Sequence, residues 1–481
     1  MFVTSAGVLV LEILAGRLLA PYVGVTLETY TGIIGTVLAG IALGNWWGGR
    51  LADSRDPRTL LGPTIAIGGM LAMACLPIVR TFGPALAGRD PLAIVTLAFL
   101  GFFVPATVLS GVTPMVVKIQ LDSLRMTGRT VGRLSAISTA GALFGTFVTG
   151  FVLLAAFPTP PIVIAVGVLL VAAGIALWSW LPRHEHASQP PVIAGAVALA
   201  ALGLVVGTPC EQETAYFCAA VVNDPESASG RLLILDTLRH SYVDLDDPTH
   251  LEFEYAGAVV DVVDAHFPQE QALDVLHVGG GGFTLPQYFA ATRPGTDSVV
   301  LELDPELLTL ARQELGLETS PELEVRTGDA RLGIQQLPSG SQDVVIGDAF
   351  GGLAVPWHLT TAEFVDEVQR VLRPGGVYVL NLIDHPPLAF ARAETATLSE
   401  AFPDAAVIAP PRRLEGSEGG NFVLAGGELD SARIQELLDA RAAGNVVITG
   451  DRRERFTAGA RVLTDDYAPV DQLLEPRPVT G

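Results

Sequence analysis

The chain has 481 residues, of which 49% are hydrophobic and 17% charged, with 29 Lys+Arg against 51 Asp+Glu and a net charge of −22. Residues 1–209 hold 11 basic against 7 acidic side chains and the remainder 18 against 44, so the second half lacks the basic footprint that nucleic acid requires. The three cysteines have no histidine pair at zinc-type spacing, and no GK[ST] follows a glycine turn, which excludes a structural zinc module and a P-loop and leaves no metal expected.

Seven apolar stretches come first, at 2–20, 30–49, 59–79, 91–117, 134–156, 160–181 and 191–207. Each approaches or exceeds the ~20 residues that a helix needs to cross ~30 Å of hydrocarbon, which predicts a multi-span membrane domain over 1–209. Glu12 and Arg17 lie inside the first stretch, where ionisable groups need partners, and their spacing of five sends them to other spans. The stretch LGNWWGGRLADSR, 43–55, resembles the loop between the second and third helices of major-facilitator transporters. Arg50, Arg55, Arg58, Lys118, Arg125, Arg129, Arg133 and Arg183 fall in one set of loops, and only Arg80 and Arg89 in the other. Positive loops mark the cytoplasmic side, so seven spans place residues 210 onward outside. Cys210 and Cys218 read either as a disulfide of an oxidising compartment or as two free thiols.

Residues 210–270 carry the β-branched runs TAYFCAAVV and RLLILDTLRHSYVDL and predict a small β region. Over 271–428 strand and helix signals alternate: LDVLHVGG then LPQYFAAT, SVVLEL then PELLTLARQEL, LEVRTG then ARLGIQQL, QDVVIGD then TTAEFVDEVQRVL. Such alternation predicts a parallel sheet with helices on both faces, an α/β Rossmann-like domain of the class I methyltransferase type. Residues 429–481 form a C-terminal extension.

Ligands bind these sheets at the carboxyl ends of the strands. The turn Gly279, Gly280, Gly281 and Gly282 closes the first strand and lets backbone approach a ligand at a helix N-terminus. It does not meet the dinucleotide spacing, since Thr284 or Leu285 stands where the third glycine belongs. Glu302 ends the second strand, where a carboxylate can accept ribose hydroxyls. Asp329, followed by Ala330, stands after the third, placed for an adenine amino group, and Asp348 ends the fourth beside the reacting centre. Further candidates are His240 and Tyr242 in LRHSYVDL, the acids Asp244, Asp246 and Asp247, and Asp465 and Asp466 in LTDDYAPVD. FGGLAVPWHLTT, 350–361, reads as a loop over the pocket, with Trp357 and His358 able to cover a substrate.

Carried by EILAGRLLAPYVG, GRLSAISTAGALFGTFVTGFVL, LLILDTLRHSYVDLDDP, HVGGGGFT, VVLELDP, GDARLGI and VLTDDYAPVD, the chain resembles the spermidine synthases, or polyamine aminopropyltransferases, in their bacterial membrane-fused form. The resemblance implies that Glu302 holds the ribose, Asp329 the adenine and Asp348 the reacting end, with Tyr255 lining the polyamine channel. Three places depart from the family pattern. Gly282 replaces the acid of GGGDGG, with Phe283 and Thr284 at the last two glycines. Gly351 replaces the second acid of D-[ST]-[ST]-D, and Ala256 and Gly257 follow Tyr255 where the family has His or Gln and Glu. A protonated amine needs a base to become a nucleophile, and the missing acids leave Asp348, His240 and Asp466 as the catalytic candidates.

The resemblance implies a membrane-integrated transferase of an aminopropyl group from decarboxylated S-adenosylmethionine to an amine, without a metal. The substrate set is Tyr255, Tyr242 and Trp357. Two alternatives stand beside it: a methyltransferase that uses S-adenosylmethionine, and a non-catalytic sensor or transport accessory for a polyamine or nucleoside. Expected partners are a small cationic substrate such as a polyamine and the lipid bilayer of a bacterial plasma membrane, with no nucleic acid; a homodimer is one arrangement open to the chain.

Overall fold

The computed structural model describes residues 1–88, 90–121, 127–181, 192–352 and 354–474, so the loop charges Arg89, Arg125 and Arg183 lie outside the described residues. The chain divides into two compact units, Met1–Ala220 with Leu235–Thr237, and Val221–Ile234 with Leu238–Gly481.

In the first unit, six helices among the described residues are long and apolar enough to cross a membrane: Phe2–Val23, Leu27–Ser54, Pro57–Phe82, Pro91–Gln120, Thr127–Ala156 and Thr159–Trp180. Within the described residues the seventh apolar stretch forms the helix Val192–Val205. Asp56 and Asp90 cap the third and fourth helices by accepting from Arg58 N and Leu92 N, each with a proline at the first helical position, where the missing N–H costs nothing. Gly40, Gly44 and Gly48 recur every four residues along one face of the second helix, so the helix Pro91–Gln120 comes close enough that a Cβ on Gly44 would strike the Thr107 carbonyl. Arg17 donates to the Thr214 and Ala215 carbonyls and lies 3.7 Å from Glu213, while Thr159 donates to the same Glu213. Its partners are thus in the segment after the spans rather than on another span. Strand β1 (Gln212–Glu213) pairs antiparallel with β2 (Cys218–Asn223), and a Cys210–Cys218 disulfide ties the segment before β1 to the first residue of β2.

The second unit opens with strands β3 (Gly230–Leu235) and β4 (Leu238–Asp244), then the helix Glu254–His266. The acids after β4 serve its turn: Asp244 Oδ1 accepts from the backbone N–H groups of Asp246 and Asp247. Eight strands follow: β5 (Asp274–Val278), β6 (Asp297–Glu302), β7 (Leu323–Thr327), β8 (Gln342–Gly347), β9 (Leu372–Asp384), β10 (Ala406–Ala409), β11 (Gly420–Gly426) and β12 (Val446–Ile448). They form one sheet of order β12-β10-β11-β9-β8-β5-β6-β7. Strands β5 to β9 pair in parallel, which agrees with the alternation of strands and helices in the sequence. Strands β10 to β12 do not: β11 runs antiparallel to both β9 and β10, and β12 antiparallel to β10, so the sheet is mixed. The central strands are buried on both faces, with Val275, Leu276, Val344 and Val345 all at 0% exposure, which is why they read as continuous apolar runs. The order reverses at β5, whose neighbours are β6 and β8, and the crevice at its carboxyl end is the switch point where such folds bind ligands.

Candidate active site

Gly279 follows β5 with φ +96°, and a Cβ there would fall 2.5 Å from the Asp348 carbonyl oxygen. Glycine therefore lets the ends of β5 and β8 close on one another and brings the turn beside Asp348. Phe283, where the family pattern has glycine, adopts a left-handed φ of +59° and is wholly buried; its ring fills the space that a side chain at Gly280 would need. Burial of a full aromatic side chain contributes roughly 1.5–3 kcal/mol and offsets a backbone cost of about 1–3 kcal/mol.

Glu302 ends β6 with 7% exposure. Its Oε2 accepts from Gly280 N at 2.8 Å and Gly281 N at 3.3 Å, and its Oε1 from Asp304 N at 2.9 Å. Burial raises its pKa and the backbone donors oppose that rise. The carboxylate expected to meet the ribose is thus also the fastener of the glycine turn. Asp329 caps the helix Ala330–Ile334 through Arg331 N and Leu332 N, and its Oδ2 lies 3.2 Å from His358 Nε2. Trp357 is 52% exposed beside that histidine.

Asp348 is held by a relay of side chains. Tyr255 OH donates to its Oδ2 at 3.0 Å, Asn381 Nδ2 donates to its Oδ1 at 2.8 Å, and Asn421 Nδ2 donates to Asn381 Oδ1 at 3.0 Å. Burial pushes the Asp348 carboxyl up to about 6, against the lowering effect of Asn381 and Tyr255. Burial and the charge of Asp348 raise the Tyr255 phenol well above its ordinary value, so tyrosine stays the donor. Asp348, Tyr255, Asn381 and Asn421 line a cavity of about 360 Å³, together with His240 and Phe350.

His240 Nδ1 lies 3.1 Å from Ser241 Oγ, and burial pushes its pKa down to about 4, so the ring is neutral at pH 7 and a weak base. Ser241 Oγ accepts from Gly282 N at 2.9 Å, and a Cβ on Gly282 would fall 2.6 Å from Ser241 Cβ. The space of the family's missing acid is therefore taken by Ser241. The Tyr242 hydroxyl donates to Asp224 Oδ2 at 2.8 Å. Asp466 sits exposed in the turn Thr464–Tyr467, and its neighbour Asp465 accepts from Arg331 at 2.6 Å and Thr361 at 2.8 Å. So Asp348, Tyr255 and His240 share one cavity, whereas Asp466 and Trp357 are not among its lining residues.

Sequence reasoning missed Asn381, Asn421, Arg239 and Arg413, all of which line the cavity. Asparagine is poorly suited to a strand, so Asn381 in GVYVLNLID and Asn421 in GGNFVLAG are signals in their own right.

A family model described as a methyltransferase domain matches residues 276–380. The polyamine aminopropyltransferase of Vibrio vulnificus (strain CMCP6) is 28% identical over 220 residues, which cover 41% of this chain and 69% of the relative. That of Chromobacterium violaceum is 29% identical over 142 residues, covering 29% of this chain and 53% of the relative, so the chain spans about half the length of that protein. A solved structure of a probable spermidine synthase from Corynebacterium glutamicum ATCC 13032 matches at 31% identity and a TM-score of 0.50, over 53% of this chain and 95% of that one. The chain belongs to the spermidine synthase-like family. The Mycobacterium tuberculosis (strain H37Rv) polyamine aminopropyltransferase is 27% identical over 341 residues, which cover 66% of this chain and 63% of the relative. That match is longer than the whole second unit, so the spermidine synthase-like resemblance extends into the apolar helices.

Proposed function

We propose that this protein is a membrane-integrated transferase that moves the aminopropyl group of decarboxylated S-adenosylmethionine to an amine. The observation that carries the reading is Asp348, a carboxylate with its pKa pushed up to about 6, held by Tyr255 and Asn381 on the wall of the cavity. The acceptor nitrogen attacks the methylene carbon next to the sulfonium; the C–N bond forms as the C–S bond breaks, and the bonding pair leaves with sulfur as neutral methylthioadenosine. The surplus proton on the acceptor nitrogen passes to Asp348. Glu302, Asp329, Ala330 and the 279–282 turn hold the nucleoside. A base matched to near-neutral pH is what this step needs, and Asp348 meets that need without the second acid that Gly351 replaces.

The purified full-length protein should convert donor labelled in the aminopropyl group into a labelled amine plus methylthioadenosine. Label that stays with the donor under every amine tried would sink the reading.

We further place the second unit outside the plasma membrane, which with a cytoplasmic N-terminus requires that Val192–Val205 lie within a seventh crossing in addition to the six long apolar helices. The Cys210–Cys218 disulfide supports this, since such bonds persist in oxidising compartments. In intact cells, a membrane-impermeant maleimide should label Cys210 and Cys218 only after an impermeant reductant is added. Labelling only after lysis would reverse the placement, and labelling without reduction would remove the disulfide that supports it.

A further inference from the structure

We infer that the acceptor cavity is built for a zwitterionic amine, one that carries a carboxylate besides its reactive nitrogen. The inference rests on the proposed transfer only for which atom reacts. A diamine at neutral pH is a dication, and a wall made to select it has no use for cations. This cavity instead carries charges of both signs, with Arg239 and Arg413 among Glu252, Glu254 and Asp348.

Arg413 is the group that would read the carboxylate. Its Nη1 makes one long hydrogen bond, 3.4 Å, to the Asn421 carbonyl, and its Nη2 stands 3.9 Å from Glu254 Oε2. A guanidinium has five N–H donors in a planar fork, and two contacts at the outer limit of range leave that fork open to a bidentate partner. The Glu254 side chain is 57% exposed, so water screens its hold on Arg413. The seat of Arg413 is itself built: Gly420 has φ +145°, and a Cβ there would fall 2.7 Å from Arg413 Nε. Any other residue at 420 would be strained and would push the guanidinium away. The ligand is a single carboxylate rather than a phosphate dianion, because Glu252 and Glu254 line the same cavity and repel a second negative charge.

The test is calorimetric titration of the full-length protein, with and without methylthioadenosine, using ornithine and 1,4-diaminobutane, two ligands that differ by one carboxylate. Ornithine should bind at least about tenfold more tightly, as a charge-assisted hydrogen bond of ~1.5–3 kcal/mol allows. Arg413→Gln should weaken ornithine by ~10–100-fold and diaminobutane by less than about twofold. Arg413→Lys should restore part of the loss, as a point charge without the fork. Equal or tighter binding of diaminobutane to the unaltered protein, or a Gln variant that weakens both ligands alike, would overturn the inference. Should Arg413→Gln lose methylthioadenosine binding as well, the ratio measured on the unaltered protein decides alone. No turnover enters this titration, so a failed labelled-donor assay would remove the proposed transfer and leave the ligand class standing. Transfer to diaminobutane in preference to ornithine would do the reverse.

Discussion

Asp348→Asn is expected to lower kcat by ~10²–10⁴-fold, the usual contribution of a general base. The unaltered enzyme should lose activity as pH falls through about 6, because the carboxyl pushed to that value takes up a proton and can no longer accept one from the amine. The variant should show no such limb. Stability moves the other way. A folded pKa above the ordinary 3.8 means that the native state favours the protonated form, so this group's contribution to stability is fully present at pH 3 and lost as pH rises through about 6. An uncharged Asn keeps an oxygen for Asn381, and the Tyr255 hydroxyl can turn to accept from its nitrogen, so the variant should melt at or above the unaltered protein at pH 7. A thermal melt beside a pH–rate profile checks both halves. A folded variant that retains the acidic limb or keeps its activity would remove Asp348 from the role of base, and one that melts lower at pH 7 would overturn the stability half.

Glu302→Gln has the second large effect. Three backbone N–H groups converge on this carboxylate, from Gly280 and Gly281 on one oxygen and Asp304 on the other. An amide has only one acceptor oxygen, so either orientation points an NH₂ at a buried donor and leaves at least one N–H unpaired. Each such group costs about 1–3 kcal/mol. The turn should loosen, with a lower Tm and a fall of at least about tenfold in methylthioadenosine affinity, the equivalent of about 1.4 kcal/mol. Calorimetry and a melt on the same preparation measure the two losses. Unchanged affinity would detach Glu302 from the nucleoside.

The β5–β8 half of the site was legible in the sequence because each of its acids closes a short apolar strand, and chain order alone puts those ends together. Asp348, Glu302 and the glycine turn follow from that rule. The other wall was not legible. Asn381 and Asn421 meet because β11 returns antiparallel beside β9 with Val423 opposite Asn381, a register set by packing and not by local pattern. Arg413 was hidden for a similar reason, since only a glycine seven residues later gives it room. His240 stands out by residue type alone, yet its surroundings set its pKa to about 4 and make it a poor base.

The contact between Ser241 and Gly282 bears on how this sequence can change over time. A Cβ at 282 would fall 2.6 Å from Ser241 Cβ, and the Ser241 hydroxyl already holds the N–H of residue 282. With Ser241 in place an acid cannot enter at 282 in one step, because Gly282→Asp alone would have to break the turn before gaining any use of the charge. An acid at 282 needs residue 241 to lose its Cβ first, which only glycine allows, and that step forfeits the hydrogen bond from the Ser241 hydroxyl. Change by single substitutions is thereby steered toward the side chains already in the cavity.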